Sequence, residues 1–243
     1  MMNDEYFNDS SFIIHHYIMS LKIKVCGMRE SANIAAVGAL PIHFVGFIFY
    51  EKSSRFVHDA IETLRSCPED LTRVGVFVNA DIDVVLNKII EFELNAVQLH
   101  GTETPLYVHD LALMMWRKHK IQPNVEVEII KAFSVDEQFD FEKTGDYEGL
   151  ADYFLFDTKT PNYGGAGIKF DWSILKKYTG ETPFLLAGGI TENDVAAVLE
   201  LEKEIPQLYA LDLNSKFESA PALKDVAKLK GFIEKLHAYT EGV

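Results

Sequence analysis

Lys22-Ile23-Lys24-Val25-Cys26-Gly27-Met28-Arg29 reads as a short strand that ends in a cysteine and a glycine, with helix-forming sequence after it. Side chains alternate along a strand, so Ile23 and Val25 share one face and Lys24 and Cys26 the other. Gly27 allows the tight exit that a reactive side chain at a strand end needs. Cys26 is either a small buried hydrophobe, as free cysteines usually are, or a nucleophile or base. What the chain places at its other strand ends decides between these readings.

Outward from that stretch, the order of strand then helix recurs. Apolar runs at 22–26, 43–49, 73–78, 96–99, 127–133, 153–157, 183–187 and 208–212 predict strands. Helix periodicity fills the intervals at Ala32–Ala39, Val57–Cys67, Ile82–Phe92, Pro105–Lys118, Val135–Lys143, Trp172–Tyr178, Asn193–Lys203 and Leu223–Tyr239. Alternating strands and helices imply parallel βαβ units, and nearly continuous apolar runs such as Val74 to Val78 imply strands covered on both faces. These pairs predict an α/β chain folded as a single-domain (β/α)8 TIM barrel over residues 21–243, with residues 1–20 a poorly ordered extension and Met19 a candidate start. The alternative is an open doubly wound sheet, but no G-x-G-x-x-G follows the first strand.

Composition narrows the function. A net charge of −14 and a pI near 5.0 argue against nucleic acid and anionic membranes as partners. An anionic substrate would need a site that is a local exception to the repelling surface. The chain has two cysteines, Cys26 and Cys67, too few for a disulfide scaffold and without metal spacing. Cys67, before Pro68, reads as structural. No run reaches the roughly 20 apolar residues of a membrane span, and the acidic start does not read as a signal peptide. A cytoplasmic protein is expected.

In a barrel, chemistry sits at the C-terminal strand ends. Strand one ends in Cys26. Strand two runs into Arg55, which reads either as a solvated loop charge or as a fork for a carboxylate or phosphate, and in isolation as the former. Strand four ends in Gln98-Leu99-His100-Gly101, where Gln98 and His100 share parity and could both line a pocket. Asp157 ends the apolar strand six. That is a poorly solvated place for a carboxylate, and it suits a general acid, with a loop-capping aspartate as the plain alternative. Gly164-Gly165-Ala166-Gly167 follows. Strand seven ends in Gly188-Gly189 and strand eight in Asp212-Leu213-Asn214-Ser215. Small and polar loops in these positions suit a phosphate held by backbone N–H groups and a helix N-terminus.

Taken together, these segments resemble phosphoribosylanthranilate isomerase. The resemblance rests on Lys24-Val25-Cys26-Gly27-Met28, Gly46-Phe47-Ile48-Phe49, Lys52-Ser53-Ser54-Arg55-Phe56-Val57, Gly75-Val76-Phe77-Val78-Asn79 and Val97-Gln98-Leu99-His100-Gly101. It continues through Phe156-Asp157-Thr158, Gly164-Gly165-Ala166-Gly167, Phe170-Asp171-Trp172 and Leu186-Ala187-Gly188-Gly189-Ile190. It runs in order from about residue 21 to the end. The family more often has proline where Ser54 stands, and serine or threonine where Ala166 stands.

The resemblance implies a cofactor-free Amadori rearrangement of N-(5-phosphoribosyl)anthranilate in tryptophan biosynthesis. It implies Asp157 as general acid and Cys26 as general base, with Arg55 facing the anthranilate carboxylate. Gly165, Gly167, Gly188, Gly189, Asp212, Asn214 and Ser215 join Arg55, Gln98 and His100 as the candidate substrate-binding set. Lys24 would either favour a Cys26 thiolate or form a packed ion pair inside the barrel. The expected partner is one small phosphorylated substrate, on a monomer or homodimer.

Three other readings compete. A ribulose-phosphate epimerase would need metal-ligating histidines at strand ends, where only His100 offers one. An indole-glycerol-phosphate synthase would need a catalytic lysine where strand one offers cysteine. A catalytically dead phosphate-binding barrel would have no use for both Cys26 and Asp157.

Overall fold

The computed structural model describes residues 21–58, 60–119, 127–158 and 170–241. The N-terminal extension and Gly165 and Gly167, both expected in the phosphate loop, lie outside the described residues.

Eight parallel strands close into a barrel in sequence order: β1 (Lys22–Cys26), β2 (Phe44–Ile48), β3 (Thr72–Phe77), β4 (Ala96–Leu99), β5 (Glu128–Val135), β6 (Tyr153–Thr158), β7 (Phe184–Leu186) and β8 (Leu208–Leu213). The strand alternation splits the apolar residues into two layers. Phe44, Val74, Ala96, Ile130, Ala132, Leu155, Leu185, Ala187 and Ala210 fill the barrel interior. The opposite parity, including Ile23, Val25, Phe47, Phe77, Leu99 and Phe154, packs outward in the larger core cluster. Each fully buried Phe there contributes about 1.5–3 kcal/mol over an exposed one. Closure places Lys24 beside Asp212 across the β1–β8 pairing, and Cys26 beside Gly46 across β1–β2.

The outer layer holds α1 (Ser31–Gly38), α2 (Ala60–Ser66), α3 (Ile82–Glu91), α4 (Pro105–His119), α5 (Val195–Glu204) and α6 (Val226–Glu241). It departs from the sequence reading in three places. No helix covers Val135–Lys143: β5 runs on to Val135, and a 3-10 segment occupies Phe141–Tyr147. The reason is aromatic packing. Phe139 and Phe141 both turn into a slab with Phe133 and Phe156, an i, i+2 placement that an α-helix cannot make. Trp172–Lys177 is also 3-10, opened by Asp171, whose side chain accepts from the Ser173 amide.

The third departure bears on the site. Leu223 does not begin a helix. Glu218–Ala220 (β9) and Leu223–Lys224 (β10) form a small antiparallel hairpin, and α6 starts only after Asp225, whose carboxylate accepts from the Lys228 amide.

Candidate active site

The C-terminal rim assembles from the ends of β1, β2, β4, β6, β7 and β8. Cys26 is buried at the end of β1. The position opposite must be glycine: a Cβ on Gly46 would stand 2.8 Å from the Cys26 Sγ. Gly27 takes φ +76° and turns the chain out of the strand. Its missing side chain leaves room for Arg55, whose Cδ would sit 2.6 Å from a Cβ there.

Below Cys26 lies a buried polar layer. Lys24 Nζ, fully buried, donates to Asp212 Oδ2 at 3.0 Å and to Gln98 Oε1 at 2.6 Å. Lys24 thus forms the packed ion pair that is one of its two readings, and it also pulls the Cys26 pKa down, as the other reading has it. Burial alone would lower the Lys24 pKa, but the Asp212 and Cys26 charges outweigh burial and raise it. Burial pushes the Asp212 carboxyl up against the pull of Lys24, and its Oδ1 is buried without a hydrogen-bond partner.

Lys24 also fixes the next link. A lysine only donates, so the Gln98 oxygen must face it and the Gln98 amide NH₂ must point away. That NH₂ lies 2.7 Å from His100 Nδ1, which therefore accepts, and the ring proton belongs on Nε2. His100 Nε2 faces Asp157 Oδ2 at 3.4 Å, while Asp157 Oδ1 accepts from the Thr158 amide at 2.8 Å. An unbroken polar chain leads from Asp212 through Lys24, Gln98 and His100 to Asp157.

Lys24 does pull Cys26 toward thiolate, but burial outweighs that pull. Burial pushes the thiol pKa up, and Lys24 and Lys224, which pull it down, do not overcome that, with Asp212 adding to the rise. Arg55 is not the solvated loop charge that it reads as in isolation. Its side chain is 13% exposed and forks onto Glu218, with Nε to Oε1 at 2.9 Å and Nη2 to Oε2 at 2.6 Å.

The glycines after β7 behave as a loop needing left-handed backbone. Gly188 has φ +87° and Gly189 φ +67°. Among the described residues no group accepts from either amide, and backbone N–H groups in such a turn suit an anion. Asn214 accepts from Lys224 at 2.8 Å, and Ser215 opens the 3-10 turn after β8. Cys67 is buried away from this rim. Among the described residues no group of His, Cys, Asp and Glu has metal-site geometry, and no helix is long and apolar enough to cross a membrane.

Sequence reading missed Glu218, Lys224 and Asn33. Asn33, buried in α1, donates to the Lys224 carbonyl at 2.9 Å and accepts from the Lys224 amide at 2.7 Å. The available signal was Pro221 between two short runs with a capping Asp225 after them, which marks a turn and a later helix start.

Comparison with known proteins agrees with this geometry. The family model described as N-(5'phosphoribosyl)anthranilate (PRA) isomerase matches residues 23–235. An N-(5'-phosphoribosyl)anthranilate isomerase of Parabacteroides distasonis is 47% identical, covering 88% of this chain and 92% of that relative. One from Phocaeicola vulgatus is 44% identical, covering 88% and 97%. Among solved structures, the phosphoribosyl anthranilate isomerase of Thermotoga maritima superposes with a TM-score of 0.73 at 32% identity, covering 90% of this chain and 99% of that one. A complex of such an isomerase with reduced 1-(o-carboxyphenylamino)-1-deoxyribulose 5-phosphate gives a TM-score of 0.70 at 27% identity, covering 90% and 99%.

Proposed function

The chain belongs to the N-(5'-phosphoribosyl)anthranilate isomerase family, and from that premise we propose how its rim carries out the family's aldose–ketose isomerisation in tryptophan biosynthesis. Asp157 gives a proton to the ribose ring oxygen, the ring opens, and the anthranilate nitrogen becomes an iminium. Cys26, as thiolate, removes the proton from the adjacent sugar carbon to leave an enolamine. That species takes a proton at the former anomeric carbon and loses the hydroxyl proton, so the sugar is reduced at one carbon and oxidised at its neighbour. The balance is internal, and general acid–base groups suffice.

The observation that carries this reading is that Cys26 ends β1 and Asp157 stands near the end of β6, at the same rim of the closed barrel, with Arg55 packed against Gly27 beside Cys26. Arg55 is assigned to the anthranilate carboxylate. Gly188 and Gly189, with Gly165, Gly167 and Ser215, are assigned to the phosphate. Gln98, Asp212 and Asn214 line and support the site, and His100 orients Asp157. The decisive experiment forms phosphoribosylanthranilate in situ from anthranilate and follows the loss of its fluorescence. Turnover by the parent and at least about a hundredfold less by Asp157→Asn supports the assignment, and equal turnover by both refutes it.

We assign the barrel of residues 21–243 as the whole catalytic unit, with residues 1–20 outside it. We assign the protein to the cytoplasm, and the surplus of acidic residues supports an enzyme with neither nucleic acid nor an anionic membrane as partner. It acts as a monomer or homodimer. The phosphoribosylanthranilate isomerase of Thermotoga maritima is itself described as dimeric.

A further inference from the structure

We propose that Glu218 is a positioning residue that presets Arg55 for a ligand carboxylate, and that the β9–β10 hairpin holds it at the rim for that purpose. The proposal rests on the reading of Arg55 as the anthranilate-carboxylate site. A guanidinium has five N–H donors, four of which form two bidentate edges. Glu218 takes one edge, through Nε and Nη2. The other edge, built from Nη1 and the second Nη2 hydrogen, meets no acceptor among the described residues. An arginine gripped on one edge keeps its plane fixed and offers the second edge without losing rotamer freedom on binding.

Glu218 is itself held firmly. Its Oε1 also accepts from Lys224 Nζ and from the Ala222 amide at 3.2 Å. The Lys224 backbone is tied to Asn33 on α1 by two hydrogen bonds. The Glu218 and Lys224 side chains are 5% and 0% exposed. Burial works against ionisation of Glu218, but Arg55 and Lys224 outweigh it and hold its carboxyl below the usual range.

The charge count points the same way. With both cations charged, Arg55, Glu218 and Lys224 carry a net charge of +1, although burial pulls the Lys224 pKa down against the hold of Glu218, while Lys24 and Asp212 cancel. A desolvated surplus of positive charge is costly unless an anion completes it. For stability alone, an apolar cluster would serve this hairpin as well as a buried triad does. A ligand carboxylate on the free edge of Arg55 is the anion that fits.

The test compares two probes by calorimetry: reduced 1-(o-carboxyphenylamino)-1-deoxyribulose 5-phosphate and its phenylamino counterpart without the carboxylate. The ratio of their affinities isolates the carboxylate contact. Arg55→Ala should bring the ratio close to unity. Glu218→Gln, similar in shape but uncharged, should lower it by about tenfold or more with the phenylamino affinity unchanged, and should raise KM more than it lowers kcat. Glu218→Asp keeps the charge but withdraws it from Arg55, and should give an intermediate ratio even if the Gln variant fails to fold. If Arg55→Ala leaves the ratio intact, the reading of Arg55 fails. If Arg55→Ala abolishes the ratio but neither Glu218 variant changes it, or both probes weaken equally, Glu218 is structural and the proposal is overturned.

Discussion

Gln98 and His100, two residues apart on β4, meet at 2.7 Å, and the direction of that hydrogen bond is set by Lys24 on the far side of the Gln98 amide. The tautomer of a rim histidine is therefore dictated by a buried lysine one strand position deeper. Gln98→Leu should free His100 to change tautomer and leave Lys24 with one partner fewer. The expected cost is about 1–3 kcal/mol in stability from the unsatisfied buried group. Turnover should fall as the Nε2 proton is no longer held toward Asp157. Nitrogen NMR of the His100 ring checks the tautomer directly, and an unchanged ring spectrum would disprove the link.

Cys26 and Asp157 divide one proton-transfer task between them. Cys26→Ser and Asp157→Asn should each lower kcat by about 10²–10⁴-fold, with KM changed far less. Because burial raises the Cys26 pKa, ionisation of the thiol in the free enzyme is shifted to higher pH than for an exposed cysteine. The acid limb of kcat/KM should accordingly keep rising beyond neutral pH, and iodoacetamide labelling of Cys26 should follow the same curve. Substrate should protect against labelling. A Cys26→Ser enzyme that works at the parent rate would return Cys26 to the role of a small buried hydrophobe.

The barrel was legible because its signal is local. Ile23 and Val25 against Lys24 and Cys26 already separate the two faces of β1, and the same alternation marks the other strands. The fifth helix was misread because Phe139 and Phe141 obey a packing demand from β5 and β6 that no local window contains. The site was legible only for residues at strand ends. Arg55 reads as a loop charge until Glu218 is brought to it across 163 residues, and Lys224 reads as helical until Asn33 claims its backbone across 191. Whether Cys26 is ionised depends on burial against two lysines, a balance that sequence does not display.

The Lys24–Asp212 pair lies wholly inside the barrel, so removing one partner strands a charge. Lys24→Met should cost about 3–5 kcal/mol, because Asp212 would be left buried with neither oxygen paired. The double variant Lys24→Met with Asp212→Leu should recover part of that loss. The pH dependence has a definite sign. The Lys24 pKa is raised in the folded state, so its contribution is complete below the ordinary lysine value and is lost as pH rises through the folded one. Cys26 and several tyrosines also titrate high, so urea titrations along an alkaline series should show a steeper decline in the parent than in Lys24→Met.

Gly188 offers the sharpest steric test of the phosphate loop. Its φ of +87° lies where an L side chain is strained, and a Cβ there would stand 2.7 Å from the Thr158 amide nitrogen and 3.0 Å from Asp157 Oδ1. Gly188→Ala must therefore either distort the loop or displace the end of β6, including the carboxylate assigned as general acid. Backbone strain of this kind costs about 1–3 kcal/mol. Gly145→Ala is the matched control, because a Cβ there meets nothing within 4 Å. Inorganic phosphate should inhibit the parent and the Gly145→Ala enzyme equally, while Gly188→Ala should lose phosphate inhibition and show a higher KM. Retention of parental phosphate inhibition by a folded Gly188→Ala enzyme would move the phosphate site away from this loop.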